Sequence, residues 1–410
     1  MYMFKDKEKQ VLKELALRVA ELAARPSEAE KRDLWRRHNG LEATRPLIFC
    51  DPENGWREII TEKELLCENE LAREWEYGLR REIFWGERML DDRVVEPYFN
   101  VAYKSTGGND WGLEVLFTGG KDGGAYHWDS PLKSYDNLDK LHAPEIEVDY
   151  GETEERLGLA KEIFGGILTV RLKTFWWWTL GMTETLVHLR GLEQIMFDMY
   201  DYPDELHRLM SILLKGHMHK LDFLEKNGLL STNTDSYIGS GGFGYTAELP
   251  ADAPDGKNVR LADMWGFSES QETVGISPDL FKEFIFPYQL PLLERFGLNC
   301  YGCCEPLDKR WHIVRDIPRL RRVSVSPWAN LRAMAENLGN RYVYSLKPNP
   351  AYLAVPAIDE DGIRKSLREA MEIARSCRLE VIMKDNNTIC NNPENVIRWT
   401  RIAKEEAGRI

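Results

Sequence analysis

From Lys5 to about Ala24, apolar residues recur at spacings of three and four (Val11, Leu12, Leu15, Leu17, Val19, Ala20, Leu22), which predicts an amphipathic helix. A second helical stretch runs from Glu62 to Arg88 and ends before Asp91 and Asp92. Between them, Arg45-Pro-Leu-Ile-Phe-Cys-Asp-Pro-Glu-Asn-Gly-Trp-Arg reads as a short buried strand entering a turn. The chain is then rich in Gly and aromatic residues up to about Gly166, with β-like runs at Val94 to Tyr103 and Gly112 to Thr118.

After Gly166 strands and helices alternate, the pattern of a parallel sheet covered by helices. Strands are predicted at Ile167 to Lys173, Leu229 to Tyr237, Val259 to Phe267, Leu298 to Cys303, Arg322 to Ser326, Tyr342 to Leu346 and Leu379 to Lys384. Helices are predicted at Glu184 to Tyr200, Pro203 to Asn227, Leu307 to Arg315, Leu331 to Leu338, Gly362 to Cys377 and Pro393 to Ala407, the last capped by Asn392, and Ser277-Pro278-Asp279 opens one more. With Val94 to Tyr103 counted first, the strands number eight. The predicted fold is an α/β (β/α)₈ TIM barrel over residues 94–410, with an elaborated N-terminal region and a helical extension over residues 1–93. An open doubly wound sheet is the competing topology.

A hydrophobic content of 43% with 30% charged residues suits a globular chain. The net charge of −13 disfavours a nucleic-acid partner, because phosphate binding draws on clustered Lys and Arg. No apolar run reaches the roughly 20 residues that span a bilayer, so no membrane is expected and the predicted location is cytoplasmic.

The seven cysteines are odd in number, and Cys300, Cys303 and Cys304 crowd together, which favours thiol or metal chemistry over disulfides. In a barrel, working residues lie where strands end. Cys303, Cys304 and Glu305 follow one predicted strand, and Cys390 follows the last. Cys304, Cys390 and a carboxylate would satisfy a catalytic Zn²⁺ site with one open position, whereas Cys50, Cys67 and Cys377 read as small core residues. Glu269-Ser-Gln271-Glu272 sits after another strand end, as metal ligands, substrate contacts, acid and base, or simply negative charge at a helix start. Phe175-Trp-Trp177-Trp178, with Trp265 and Tyr301, walls a pocket for a flat or apolar ligand or else packs the core. The eight histidines read as structural, His217 and His219 lying two apart on one helix. Gly239-Ser-Gly-Gly-Phe-Gly lacks the Lys-Ser/Thr ending of a phosphate cradle and reads as a flexible loop or lid.

At these residues the chain resembles the uroporphyrinogen decarboxylase superfamily, which includes corrinoid-dependent methyltransferases. Ser270-Gln-Glu-Thr-Val-Gly-Ile-Ser-Pro-Asp-Leu-Phe-Lys-Glu-Phe284 is similar to a superfamily stretch ending in Ile-Ser-Pro before a Phe-rich helix. Tyr301-Gly-Cys-Cys-Glu-Pro-Leu307 stands in the place of its His-x-Cys-Gly motif, and Asn392-Pro-Glu-Asn-Val396 resembles its closing helix start. The likeness runs from about Gly166 to Ala407. It implies zinc on Cys304 and Cys390, with Cys303 the other motif candidate and a carboxylate from Glu305, Glu269 or Glu272 completing the set. The motif histidine is absent: Gly302 or Tyr301 takes its place. The Arg-Gln-Ala-Gly-Arg segment of the decarboxylases has no counterpart, which disfavours a porphyrinogen substrate.

The expected function is a metal-dependent methyltransferase that moves a methyl group between a small methylated compound and a corrinoid carried by a separate protein. Glu269 and Glu272 are its catalytic candidates; Trp177, Trp265, Gln271 and Tyr301 are its substrate contacts; and Cys303, Cys304, Glu305 and Cys390 are its metal ligands. The alternatives are a decarboxylase-like lyase acting on a small carboxylic acid and a non-catalytic barrel.

Overall fold

A computed structural model describes residues 2–120, 124–251 and 258–410. The protein is mixed α/β, built on parallel strands, and divides into two compact units. The first comprises Met1–Lys104, Val148–Thr174 and Lys347–Ile410; the second comprises Ser105–Glu147 and Phe175–Leu346.

In the first unit the helices Asp6–Ala23, Glu70–Phe84 and Tyr150–Phe164 enclose an apolar core with the parallel strands Tyr98–Val101 and Thr169–Leu172. Leu12, Ala16, Val19 and Leu22 bury one stripe of the first helix, as its three- and four-residue spacing requires. Trp75, Phe99 and Phe164 meet edge-on or tilted, with centroids 5.2 Å apart for Trp75–Phe99 and 4.0 Å for Phe99–Phe164. The strand expected near Arg45 is Leu47–Cys50, paired in parallel with Arg378–Met383. The helix expected over Glu62 to Arg88 starts only at Glu70, where the Asn69 side chain accepts from the N–H groups of Leu71 and Ala72. The helix Pro26–Asn39, too polar to show a clear apolar stripe, has no sequence expectation behind it.

In the second unit the strands Trp265–Ser268, Leu298–Tyr301, Leu320–Val325 and Val343–Leu346 lie side by side, all parallel. Their residues are buried almost without exception, polar side chains such as Asn299, Arg322 and Ser345 included. The run Gly112 to Thr118 contributes only Leu116–Gly119, in an exposed antiparallel hairpin with Tyr126–Asp129.

Three other expectations change. The helix read from Glu184 to Tyr200 is two, Thr183–Arg190 and Leu192–Asp201, because Gly191 adopts a φ of 95° that ends the first. No strand forms over Leu229 to Tyr237. There the Asn233 side chain takes both backbone groups of Trp265, donating to its carbonyl at 2.9 Å and accepting from its N–H at 3.0 Å, in place of a backbone ladder. The Gly-rich segment read as a lid is packed inside: Ser240 to Tyr245 are buried, and Trp265 Nε1 donates to the Gly244 carbonyl at 2.9 Å. The segment that follows it in the sequence, rich in Pro and Asp, includes 252–257, which lie outside the described residues.

Candidate functional site

The carboxyl ends of two adjacent parallel strands in the second unit carry the acids and thiols that the sequence singled out. Trp265–Ser268 leads into Glu269, Ser270 and the 3₁₀ turn Gln271–Thr273, and Leu298–Tyr301 leads into Gly302, Cys303, Cys304 and Glu305. The Cys303 and Cys304 sulfurs are 3.7 Å apart, Cys303 buried and Cys304 half-buried.

Glu305 ties these two strand ends together. Its Oε1 accepts from the N–H of Ser270 at 2.8 Å and its Oε2 accepts from the N–H of Cys303 at 2.8 Å. Both oxygens are thus spent on backbone, which makes Glu305 a positioning group for the cysteine turn. Glu269 is fully buried; Thr179 Oγ1 donates to its Oε1 at 3.3 Å and the Gln271 N–H to its Oε2 at 2.9 Å. Burial raises the Glu269 carboxyl well above the ordinary range, and the charges of Glu272, Glu305 and Cys303 push the same way. Glu305 is also raised by burial, against the pull of the amides it accepts from. Glu272 accepts from Thr183 Oγ1 at 2.6 Å.

Two side chains missed in the sequence complete the frame. Gln289 donates to the carbonyls of Gly181 and Glu269 at 2.7 and 2.8 Å. Arg310 donates to Ser270 Oγ at 2.9 Å and to the Thr273 carbonyl, with its guanidinium 4.6 Å from the Phe281 ring centroid.

Tyr301 and Trp265, expected to wall a pocket, are core residues. The Tyr301 phenol donates to Gln289 Oε1 at 2.7 Å and lies 3.3 Å from Ser270 Oγ, and Trp265 is 1% exposed with Arg322 over its ring. Successive strand residues point to opposite faces, and both faces of this sheet are covered. Cys390 belongs to the first unit, in a left-handed turn (φ 59°) after the strand Arg378–Met383, with its N–H donating to Thr388 Oγ1 at 2.9 Å.

The tryptophan run does line a cavity, of about 590 Å³, together with Trp111, Glu184, His217 and Lys220. Trp176 Nε1 donates to the Leu229 carbonyl at 2.8 Å, Trp177 packs edge-on against Phe296, and Trp178 tilts against Phe267. Thr179 also lines the cavity, so its hydroxyl links that wall to Glu269. The ammonium of Lys220, 7% exposed, donates to the Gly108 carbonyl at 2.8 Å and to Asn109 Oδ1 at 3.3 Å, and burial lowers its pKa to about 8. His217 is lowered to about 4, by burial first and then by the Lys220 charge, and is neutral near pH 7. Loss of water around the Glu184 carboxyl raises it above its usual range, with His188 opposing and Glu272 adding. The spacing His217-x-x-Lys220 on the helix Pro203–Lys226 was the available signal, since residues three apart share a helix face.

No protein-family model and no curated protein matches the chain. Among solved structures, a methyltransferase from Methanosarcina mazei is similar over 92% of this chain and 97% of that one, at a TM-score of 0.47 and 11% sequence identity. A likeness that slight decides neither fold nor reaction. No described helix is long and apolar enough to cross a membrane.

Proposed function

We propose that the protein is a metal-dependent methyltransferase that moves a methyl group between a small methylated compound and a corrinoid carried by a separate protein, on a (β/α)₈ frame. The observation that carries this reading is the Cys303–Cys304 pair. Two thiolates bound at about 2.3 Å to one tetrahedral Zn²⁺ stand about 3.8 Å apart, and these sulfurs are 3.7 Å apart at the end of a strand, beside buried acid groups. Cys303 and Cys304 would hold the ion, and Cys390 is the sequence's candidate for a further thiolate. Bound zinc supplies Lewis acidity, which lowers the pKa of an acceptor thiol or polarises a leaving heteroatom.

The remaining work falls to the chain itself. Glu305 fixes the cysteine turn through the Ser270 and Cys303 amides. Glu269 and Glu272 are the proton-handling groups in this reading, held by Thr179, Gln271 and Thr183. The tryptophan wall would shield a substrate in its cavity from water, and Thr179, which lines that cavity, donates to Glu269.

The test is metal content and methyl transfer with anaerobically purified protein. About one zinc per chain is expected, reduced in Cys303→Ser, Cys304→Ser and Cys390→Ser, together with methylcobalamin formed from free cob(I)alamin and a methylated donor. Protein without zinc, or variants that retain it, would defeat the mechanism. A competing carboxy-lyase reading draws on Lys220 and His217, two groups able to take a carboxylate in one cavity. Release of CO₂ with no methylcobalamin would select it.

A further inference from the structure

The cavity in the second unit presents opposite chemistries. At one place Lys220 and His217, one turn apart on the same helix, line it together. An ammonium has three N–H donors, and the Gly108 carbonyl and Asn109 account for two of those on Lys220. His217 Nε2 is buried with no hydrogen-bond partner among the described residues, and its ring lies 5.3 Å from that of Trp111. A buried polar atom without a partner is costly, so a ligand that supplied one would gain from it. Elsewhere the same cavity is walled by Trp177, Trp178 and Glu184.

Neither a simple anion nor a simple cation suits this lining. An anion would meet Glu184, and a cation would meet the ammonium of Lys220. An apolar ligand would leave the third Lys220 N–H and His217 Nε2 unsatisfied. We propose that the cavity binds a zwitterion of the betaine class, its carboxylate accepting from Lys220 and His217 and its methylated ammonium held against the tryptophans and Glu184. Quaternary ammonium groups are recognised in this way by aromatic faces, which present negative potential without competing for hydrogen bonds. The volume of about 590 Å³ exceeds the head group and leaves room for a longer chain between or beyond the two charges. As the identity of the methyl donor, this assignment rests on the methyltransferase reading; as a binding site it stands on the cavity alone.

Calorimetric titration of the full-length protein with trimethylglycine, tetramethylammonium chloride and sodium acetate, at matched ionic strength and without corrinoid, tests it. Trimethylglycine is expected to bind at least about tenfold more tightly than either half-molecule, because each charge–partner set adds its own free energy. Lys220→Met should weaken trimethylglycine by about tenfold and bind tetramethylammonium at least as tightly as before, because a like charge is removed, while Glu184→Gln at the rim should weaken both. Equal affinity for trimethylglycine and tetramethylammonium, no binding at all, or indifference to both substitutions would overturn the assignment. If the ligand binds to protein that holds no zinc, the methyltransferase reading fails and the site survives. If zinc and methyl transfer are present but trimethylglycine does not bind, the site assignment fails alone.

Discussion

The phenol of Tyr301 donates to Gln289 Oε1 at 2.7 Å, and the amide of Gln289 in turn donates to the carbonyls of Gly181 and Glu269. Tyr301 is fully buried, and burial holds its phenol protonated far above neutral pH. Tyr301→Phe would leave a buried amide oxygen without its donor, at a cost of about 1–3 kcal/mol. The expected result is a lower urea midpoint with ligand affinity unchanged. A variant that keeps its stability and loses affinity would return Tyr301 to the pocket wall.

Glu305 offers a sharper separation of positioning from ligation. In Glu305→Gln one acceptor becomes an NH₂ group facing either the Ser270 or the Cys303 N–H. The cysteine turn should loosen, with about 1–3 kcal/mol of stability lost and zinc affinity lowered. Glu272→Gln keeps an acceptor for Thr183 and should leave zinc content intact. Retention of full zinc affinity in Glu305→Gln would contradict the positioning role.

Gly239→Ala tests whether the glycine-rich segment is a packed element. Gly239 has a φ of 56°, and a Cβ there would lie 2.2 Å from Phe267 ring atoms. The combined cost of a left-handed alanine and overpacking is about 2–4 kcal/mol, visible as a large fall in melting temperature. A mobile lid would tolerate the methyl group without loss.

Glu406 should give the first unit a measurable acid sensitivity. Arg364 and Arg368 donate to its carboxylate at 2.8 Å, and the Arg368 hydrogen bond leads the causes that lower its pKa from 4.5 to about 2. Because the folded value lies below the unfolded one, the stabilisation is present above pH 4.5 and is lost as pH falls toward 2. Its partners are partly exposed, so after screening the contribution is about 1–2 kcal/mol. Glu406→Gln is expected to lose that amount at pH 7, with the gap to wild type closing in acid. A gap that stays constant with pH would show that packing, not charge, is responsible.

The parallel strands of the second unit and the helix Leu331–Leu338 were legible because short strand-like segments alternate with helical ones. Leu229 to Tyr237 misled because a side-chain amide can occupy the hydrogen-bonding groups of a neighbouring strand, and no periodicity records that. At the site, the Cys303–Cys304 pair is local in sequence and was found. The cavity is assembled from residues near Trp111, near Trp177 and near Lys220, so the helix spacing of His217 and Lys220 could mark a shared face but not what that face meets. Tyr301 failed as a pocket residue because sequence position fixes which strand it is on and not whether the face it occupies is covered.

Three consecutive indoles are each fastened to a different anchor: a carbonyl for Trp176, Phe296 for Trp177 and Phe267 for Trp178. An aromatic surface built in this way is already in its working shape before anything arrives. A guest therefore meets little entropic resistance from its host, and discrimination among guests falls to how well their outline matches a mould that does not yield.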